Sequence, residues 1–392
     1  MKARRSNGDG AIDKVKRARK DGTIVETWRG RLSVGIDPRT QRPRRITLYA
    51  ETRSELATKM ARIKSDANRG ILPSSERMTV AAFLQRWIDD VMAARVRATT
   101  LSLYRSLIRT HLLPIIGGLR LDRLSAQDVA AVLSRMREGK RSERTQALAL
   151  IILRSAIDQA VRWDLVPRNV ARNVDTPRSQ RKAMTALSLD QSQRFLRIAK
   201  GRRFGALYTL ALLAGLRRGE LLGLQWADID FERRTLSVVR SVVLLDGKPI
   251  VAEPKTAAGR RMVDVPATAL RALREHQALL FAAGLRSSPW VFPNENGAPM
   301  NPENLIRRSF RPLLARAIDD AQREGQPFPR IRFHDLRHTA ATLMLELGIA
   351  QKVVQERLGH ASIVVTMDTY SHVSPTMQRD AAERIDGLFA AI

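Results

Sequence analysis

Four consecutive helical patterns in the first half of the chain place the strongest constraint on its fold. Apolar residues recur every three or four positions in TVAAFLQRWIDDVMAAR, TTLSLYRSLIRTHLLPIIG, SAQDVAAVLSRMRE and RTQALALIILRSAIDQAVRWDL. Thr99 or Thr100 is the expected cap of the second helix, and Ser125 with Asp128 has capping-box spacing before the third. We therefore expect a helical domain over residues 76–174, with the apolar stripes forming its core.

The preceding segment has the signals of a small sheet. DGTIVETWRGRLSVGIDPRTQRPRRITLYA, residues 21–50, contains three alternating or β-branched runs broken by Arg-Gly and by a Pro-rich turn. A helical pattern follows from about Arg53 to Asn68. This predicts a three-stranded sheet plus a helix in a domain over residues 1–72. The residues expected to cover one face of this sheet for DNA are Trp28, Arg29, Arg31, Arg44 and Arg45.

The rest of the chain has a linker and a mixed domain. DTPRSQRKAMT, residues 175–185, reads as a linker near DNA, with Arg181 and Lys182 as candidate DNA contacts. Over residues 186–392, helical patterns flank strand signals with turns at Asp246-Gly247 and Ala258-Gly259. The expected fold class is mainly α with small β-sheets (α+β), ending in a mixed α/β domain.

The charge of the chain indicates a polyanionic partner. Lys and Arg number 68 against 39 Asp and Glu, which gives a formal net charge of +29 and a pI of about 11.5. The excess is spread over all three parts of the chain, so nucleic acid is the expected partner. The chain has no cysteine and no apolar run of membrane-spanning length. These features predict a soluble protein of the cytoplasm with no membrane partner.

Three stretches combine charge with apolar surroundings: AGLRRGELLGL at 214–224, EPKTAAGRR at 253–261, and the segment that contains HDLRH, LGH and TMDTYSHV. Their order resembles the tyrosine recombinase or phage integrase family, whose pattern is Arg, a hairpin Lys, His-x-x-Arg, a second His after Leu-Gly, and Tyr. The matching residues are Arg217 with Glu220, Lys255, His334, Arg337, His360 and Tyr370.

These residue types suit the reversible cleavage of a DNA phosphodiester. Arg217 and Arg337 could grip the nonbridging oxygens, because a guanidinium binds phosphate through two hydrogen bonds and stays charged. Tyr370 would attack phosphorus and form a 3′-phosphotyrosyl link, since the other tyrosines fall in core or strand patterns. The arginine charges make a metal unnecessary, and no Walker-type loop indicates nucleotide use. We expect no cofactor.

The proton transfers are assigned less fully by the sequence. Lys255 could protonate the leaving 5′ oxygen, while His334 and His360 would hydrogen-bond the phosphate or assist proton movement. The sequence leaves the division of labour among these three residues open.

Neighbouring charged residues are assigned supporting positions. Glu220 should orient a cation or cap a neighbour, and Arg218 should lie on the outer face, because consecutive helical residues point about 100° apart. Asp335 is expected in the first turn of a helix, with His338 behind the site or on the surface.

The resemblance implies an integrase that integrates or excises a phage or other mobile element. It implies double-stranded attachment-site DNA as partner, a homotetramer on two sites, and exchange through a Holliday junction. An excisionase or a host DNA-bending factor is a further candidate partner, and a bacterial, nucleoid-associated location follows.

The sequence is compatible with three alternatives. HDLRH copies the two-histidine spacing of a zinc protease, although Arg337 would repel the metal. IAQKVVQERLGHASIVVTMDTY resembles a helix-turn-helix, so a non-catalytic DNA-binding regulator is the second. The third is a type IB topoisomerase, which would use the same tyrosine nucleophile but need not bring two DNA sites together.

Overall fold

The computed structural model describes residues 11–18, 24–36, 43–68, 78–178, 184–253 and 259–359, together with Glu383 and Asp386. The chain divides into two units, residues 1–180 and 181–392. Helices predominate and the sheets are small and antiparallel, which confirms the predicted α+β class. Within the described ranges, no helix is both long and apolar enough to cross a membrane.

The first unit begins with a three-stranded antiparallel sheet and a helix. The elements are β1 (Ala11–Ala18), β2 (Ile24–Ile36), β3 (Pro43–Ala50) and α1 (Arg53–Asn68), with strand order β1-β2-β3. The number of strands and the helix bounds are confirmed. The strand positions were partly wrong, because β1 precedes residue 21 and β2 runs without a break through Arg29-Gly30.

Gly30 lies inside β2 because α1 packs directly over it. A Cβ atom at this position would collide with Sδ of Met60 and would lie 3.2 Å from Cδ1 of Leu56. Both side chains form a small core with Leu32 and Ala50. The glycine allows close packing of helix on sheet, and a local turn signal could not reveal that long-range contact.

The two faces of this sheet carry different residues. Trp28 packs against the core on the helix side. Arg29 and Arg31 lie on the open face, where Arg29 forms an ion pair with Asp13 and Arg31 approaches the same carboxylate at 3.6 Å. The pairing register places Arg45 on this open face too. The expectation that Trp28 shares a face with the arginines was wrong, because successive strand residues point to opposite sides.

The described part of residues 78–178 is helical, as the sequence predicts. The helices are α2 (Val80–Trp87), α3 (Ala93–Arg95), α4 (Ala98–Leu107), α5 (Leu113–Ile116), α6 (Ala126–Glu138) and α7 (Glu143–Arg162). π-Helical turns at Ile88–Met92 and Ile108–Leu112 make α2 continuous with α3 and α4 with α5. Their apolar faces, including Phe83 and Trp87, form one core with that of α7.

The predicted helix caps were right in one case and wrong in the other. Ser125 and Asp128 form the expected capping box of α6, with Asp128 accepting the backbone N–H of Ser125 at 2.9 Å. α4 begins earlier than predicted, directly after Arg97, so Thr99 and Thr100 lie inside the helix.

The second unit surrounds a buried helix with further helices and two small sheets. Its helices are α8 (Leu189–Ala199), α9 (Gly205–Leu213), α10 (Arg218–Leu222), α11 (Ala267–Ala282), α12 (Pro302–Leu305), α13 (Arg311–Arg323), α14 (Phe333–Glu346) and α15 (Gln351–Leu358). α12 and α13 are joined by a π-helical turn at Ile306–Phe310. Nearly every residue of α9 is buried, so this helix is the centre of the core.

The strands of the second unit form a three-stranded sheet and a hairpin. They are β4 (Ile229–Asp230), β5 (Thr235–Val238), β6 (Ser241–Leu245), β7 (Lys248–Ala252) and β8 (Arg261–Asp264). The sheet has the order β4-β5-β8, and β6 pairs with β7. Asp246 and Gly247 connect the hairpin with φ angles of 49° and 78°, which confirms the predicted turn. Ala258, in the other predicted turn, lies outside the described residues.

Candidate active site

The structure places some of the predicted functional residues and leaves others outside its description. Outside it lie Arg181, Lys182, Lys255, His360, Tyr370 and the side chain of Arg44. The residues that it places in the second unit are Arg217, Glu220, His334 and Arg337. These four come together, because Glu220 binds Arg217 while His334 lies within the electrostatic influence of both arginines.

Arg217 stands immediately before α10 in an extended conformation, with φ −69° and ψ 149°. One turn into the helix, Glu220 accepts the backbone N–H of Arg217 at 2.9 Å and its Nη1–H at 2.7 Å. Nη2 of the same guanidinium donates to the carbonyl of Gly359 at 2.8 Å. Glu220 therefore both caps α10 and fixes the head group of Arg217.

Arg218 faces the same cleft as Arg217, so its predicted position on the outer face was wrong. The 100° spacing of helical residues does not separate the two side chains, because Arg217 precedes the helix. Arg218 is half-buried, and Nη1 reaches the carbonyl of Pro302 at 3.4 Å. Desolvation at this position lowers the pKa of its guanidinium below the ordinary value.

HDLRH forms the first turns of α14, and the N-terminal end of that helix opens onto the cleft. Asp335 is buried and accepts the backbone N–H of Arg332 at 2.6 Å and its Nη2–H at 2.8 Å. This confirms Asp335 as a first-turn carboxylate. The preceding residue, His334, lines the cleft.

His334 is a neutral group in this environment. Desolvation of the ring, followed by the positive influence of His338 and Arg337, lowers its pKa to about 4. The ring of His338 meets that of His334 edge-on, with 4.7 Å between the centroids. At pH 7, His334 therefore offers hydrogen bonds and no charge, and His338 lies beside it.

Arg337 is enclosed, with only 2% of its surface exposed. Its Nη1 donates to the carbonyl of Gly215 at 2.7 Å, and Nη2 donates to that of Leu358 at 2.6 Å. In this conformation, Arg337 holds the backbone of two distant segments together. Arg217, whose side chain is 38% exposed, is the more accessible of the two predicted phosphate ligands.

Sequence reasoning missed Arg261, at the start of β8. Its Nη1 and Nη2 donate to the two oxygens of Glu220 at 3.2 and 2.9 Å. Burial alone would raise the pKa of Glu220, but the hydrogen bonds and charge of Arg261, with the charge of Arg217, lower it to about 2. The available signal was strand alternation, which puts Arg261 on the same side as buried Val263 and opposite exposed Met262.

Three arginines converge on the C-terminal end of α15. The carbonyls of Arg357, Leu358 and Gly359 accept hydrogen bonds from Arg261 Nε, Arg337 Nη2 and Arg217 Nη2, at 2.7, 2.6 and 2.8 Å respectively. The last carbonyls of a helix lack partners within it and carry partial negative charge, so cations are favoured there. His360 is the next residue of the sequence and lies outside the described residues.

The cleft beside this network has a volume of about 910 Å³ and combines basic with apolar walls. Its basic lining residues are Arg217, Arg218, Arg311, Arg330 and Arg332, and neutral His334 lines it as well. Apolar side chains of β6, of α13 and of the π-helical turn that precedes α13 form much of the remaining wall. A cleft with several guanidinium groups suits an extended phosphate backbone.

The zinc alternative finds no support in the described residues. Among them, no group of three or more His, Asp or Glu side chains could hold a metal ion. Arg337 also lies one turn from His334 on the same helix, where its charge would oppose a divalent cation.

Two family models match the chain. The model described as phage integrase family matches residues 185–377, and that of the phage integrase N-terminal SAM-like domain matches residues 79–136. A XerC-like tyrosine recombinase from Caldanaerobacter subterraneus is 26% identical over 93% of this chain and 97% of its own length. Tyrosine recombinase XerD of Mycobacterium leprae is 31% identical over 74% of this chain and 93% of its own length.

The fold is also found in a solved structure. The integrase of transposon Tn1549, in complex with transposon right end DNA, aligns with 78% of this chain and 99% of its own, with a TM-score of 0.65 and 23% identity. This likeness shows the fold. The sequence matches establish that the chain belongs to the phage integrase family of tyrosine recombinases, which break and rejoin DNA. The predicted family and enzyme class are confirmed, and no comparison favours the regulator.

Proposed function

We propose that this chain is the integrase of a phage or other mobile element, acting on attachment-site DNA through a 3′-phosphotyrosyl intermediate. One observation carries the proposal: Arg217, fixed by Glu220, and neutral His334 line the same basic cleft in the region that matches the family. A guanidinium held in place before substrate arrives can stabilise the charge that develops on a phosphate during its displacement.

The proposed cleavage step is a displacement at phosphorus. The hydroxyl oxygen of Tyr370 forms a bond to phosphorus and passes its proton to water, while the bond from phosphorus to the 5′ oxygen breaks. Lys255 donates a proton to that leaving oxygen, and Arg217 stabilises the nonbridging oxygens. His334 contributes a hydrogen bond to the phosphate. Attack by a second strand's 5′ hydroxyl reverses the step without ATP.

The described tyrosines support Tyr370 by elimination. Tyr208 is 1% exposed, and burial raises the pKa of its phenol well above the usual range. Tyr104 is partly buried and stacks on Trp87. Tyr49 lies on the sheet of the first unit. None of these three side chains lines the cleft described above.

The chemistry also favours a tetramer. Exchange of two duplexes requires four strand cleavages, and each chain supplies one proposed nucleophile, so four copies would complete exchange through a Holliday junction.

Within this scheme, residues 1–72 would bind outer arm sites, and Arg29, Arg31, Arg44 and Arg45 would contact DNA there. Residues 76–174 would bind the core site, and Arg181 and Lys182 of the linker 175–185 would lie near it. Residues 186–392 would carry out catalysis.

The setting follows from the same proposal. An excisionase or a host DNA-bending factor would act as a directionality partner. The enzyme would work in the bacterial cytoplasm, on DNA of the nucleoid.

Covalent trapping tests the reaction. The protein is incubated with nicked duplexes from DNA that flanks its own gene, quenched in detergent, and analysed for protein-linked DNA. We expect an adduct with the wild type, loss of it in Tyr370→Phe with DNA binding retained, and retention in the matched control Tyr49→Phe. Tight, salt-sensitive binding without an adduct across the flanking DNA would refute the enzyme and favour the regulator.

A further inference from the structure

We infer that Arg261 is a positioning residue for DNA cleavage: it fixes the Glu220 carboxylate, and the carboxylate fixes Arg217 at the phosphate. The inference rests on the proposed function and deepens it. The proposed cleavage step gives Arg261 no role of its own, and its effect would reach the phosphate through Glu220 and Arg217.

The Arg261 guanidinium is almost fully enclosed and makes four hydrogen bonds, one of them from Nη1 to the carbonyl of Gly259 at 3.3 Å. Its side chain is 7% exposed and that of Glu220 is 5% exposed. Two of its N–H groups bind both carboxylate oxygens, at 2.9 and 3.2 Å, while Nε binds the carbonyl of Arg357 at 2.7 Å. Because both oxygens of Glu220 are bound, the plane of the carboxylate has little freedom to rotate.

That fixed carboxylate determines where Arg217 can lie. Oε1 of Glu220 accepts a hydrogen bond from Nη1 of Arg217, and Oε2 accepts one from its backbone N–H. Glu220 therefore holds both the backbone and the guanidinium of Arg217. These contacts and the bond to Gly359 occupy two of the five side-chain N–H donors of Arg217. Others remain for a phosphate. Without Arg261, the carboxylate could turn and carry the Arg217 head group with it.

Arg261 also ties together the segments that carry the other proposed catalytic groups. It lies six residues after Lys255 in the sequence, at the first residue of β8. Through the carbonyl of Arg357 it joins β8 to the end of α15, three residues before His360. A single substitution could therefore act through Arg217 or through these neighbours, and the experiment must separate the two routes.

The test is single-turnover cleavage of a nicked duplex by Arg261→Met and Arg261→Lys. Displacing a catalytic donor by about 1 Å lowers a rate by roughly 10²-fold, so we expect a loss of that order for Met. Lys keeps the charge but cannot bind both oxygens and the carbonyl, so it should fall in between. The matched control is Arg260→Met, which removes an exposed neighbour paired with Glu253.

A modified substrate identifies the route. A methylphosphonate at the cleavage position removes the charge that Arg217 would stabilise, so the deficit of Arg261→Met should shrink at least tenfold. The deficit of Arg217→Met should shrink in parallel. A 5′ bridging sulfur, whose leaving thiolate needs no proton donor, should leave the deficit unchanged.

Each alternative result has a definite meaning. A wild-type rate in a reduced fraction of molecules would show a role in folding alone and would overturn the inference. If the bridging sulfur restores the rate of Arg261→Met and methylphosphonate has no effect, Arg261 acts through Lys255 and not through Arg217. That result would also overturn the inference. A wild-type rate in both variants would overturn it, whereas absence of an adduct from the wild type would refute the proposed function itself.

Discussion

Glu220→Gln is expected to destabilise the second unit of this recombinase strongly at pH 7. The carboxylate is 5% exposed and is the shared partner of Arg217 and Arg261. Glutamine retains one acceptor oxygen but places an NH2 group where Arg261 now finds an anion. Removing one partner of a buried ion pair leaves an uncompensated buried charge, which is more costly than the pair itself was favourable.

The size of the effect follows from the titration of the carboxyl. Its pKa falls from 4.5 to about 2 in the folded chain. At about 1.4 kcal/mol per pKa unit, the folded state favours the ionised form by about 3 kcal/mol. Because the folded pKa is depressed, this stabilisation is complete above pH 4.5 and is lost as the pH falls toward 2. A loss of about 3 kcal/mol also agrees with the range of roughly 3–5 kcal/mol for a broken buried pair.

Hydrogen exchange measured by mass spectrometry can report this change for the second unit alone. Peptides from α9 and α15 should lose about 3 kcal/mol of protection in Glu220→Gln at pH 7, and peptides from α7 should not change. Glu346→Gln, at an exposed position of α14, is the matched control. The difference between wild type and variant should narrow below pH 4.5. A loss under about 1 kcal/mol at pH 7 would refute the argument that Arg261 depends on this carboxylate.

Three further outcomes follow from the structure. Gly215 has φ +66°, and a Cβ there would lie 2.5 Å from Leu358, so Gly215→Ala should lower stability and cleavage in a thermal and trapping assay. Gly201 also has a positive φ, but a Cβ there would meet no atom within 4 Å, so Gly201→Ala should lower stability less. Equal losses of stability in the two variants would refute the collision with Leu358 as the cause. The ring of His334 should titrate by NMR with a midpoint near pH 4. Because its pKa is lower in the folded chain than in the unfolded chain, the folded state should lose stability as the pH falls from 6.5 toward 4. A midpoint above pH 6 would contradict the neutrality of this ring at pH 7. Deletion of residues 1–72 should weaken binding to arm sites more than to the core site and reduce the salt slope; equal weakening would contradict the domain assignment.

Sequence periodicity predicted the helices well because their stability comes from apolar faces that are continuous in the chain. α1 has the bounds expected from the pattern, and the capping box of α6 depends only on Ser125 and Asp128. The position of β1 and the uninterrupted course of β2 were missed. The role of Gly30 depends on Met60, thirty residues away, so no local signal carries it.

In the candidate site too, the sequence predicted some features, and others depend on the tertiary fold. The residue types and order predicted the cluster of Arg217, Glu220 and His334, which the structure brings together. Arg218 was misplaced because a helix was assumed to include Arg217, whereas the chain is extended there. Arg261 was missed because its partner Glu220 is 41 residues away, and pairing across that distance depends on the tertiary fold.

The anchoring of three guanidinium groups at the end of α15 bears on the electrostatics of DNA binding. Arg217 and Arg261 share the carboxylate of Glu220, whereas Arg337 binds the backbone carbonyls of Gly215 and Leu358. Backbone carbonyls also accept hydrogen bonds from Arg217 and Arg261. Carbonyl dipoles hold a cation without cancelling its charge, so the guanidinium groups bound in this way keep their positive charge for an approaching phosphate. Solvent reorganisation around these cations is largely completed when the protein folds, which leaves less to be done when the DNA strand is cleaved.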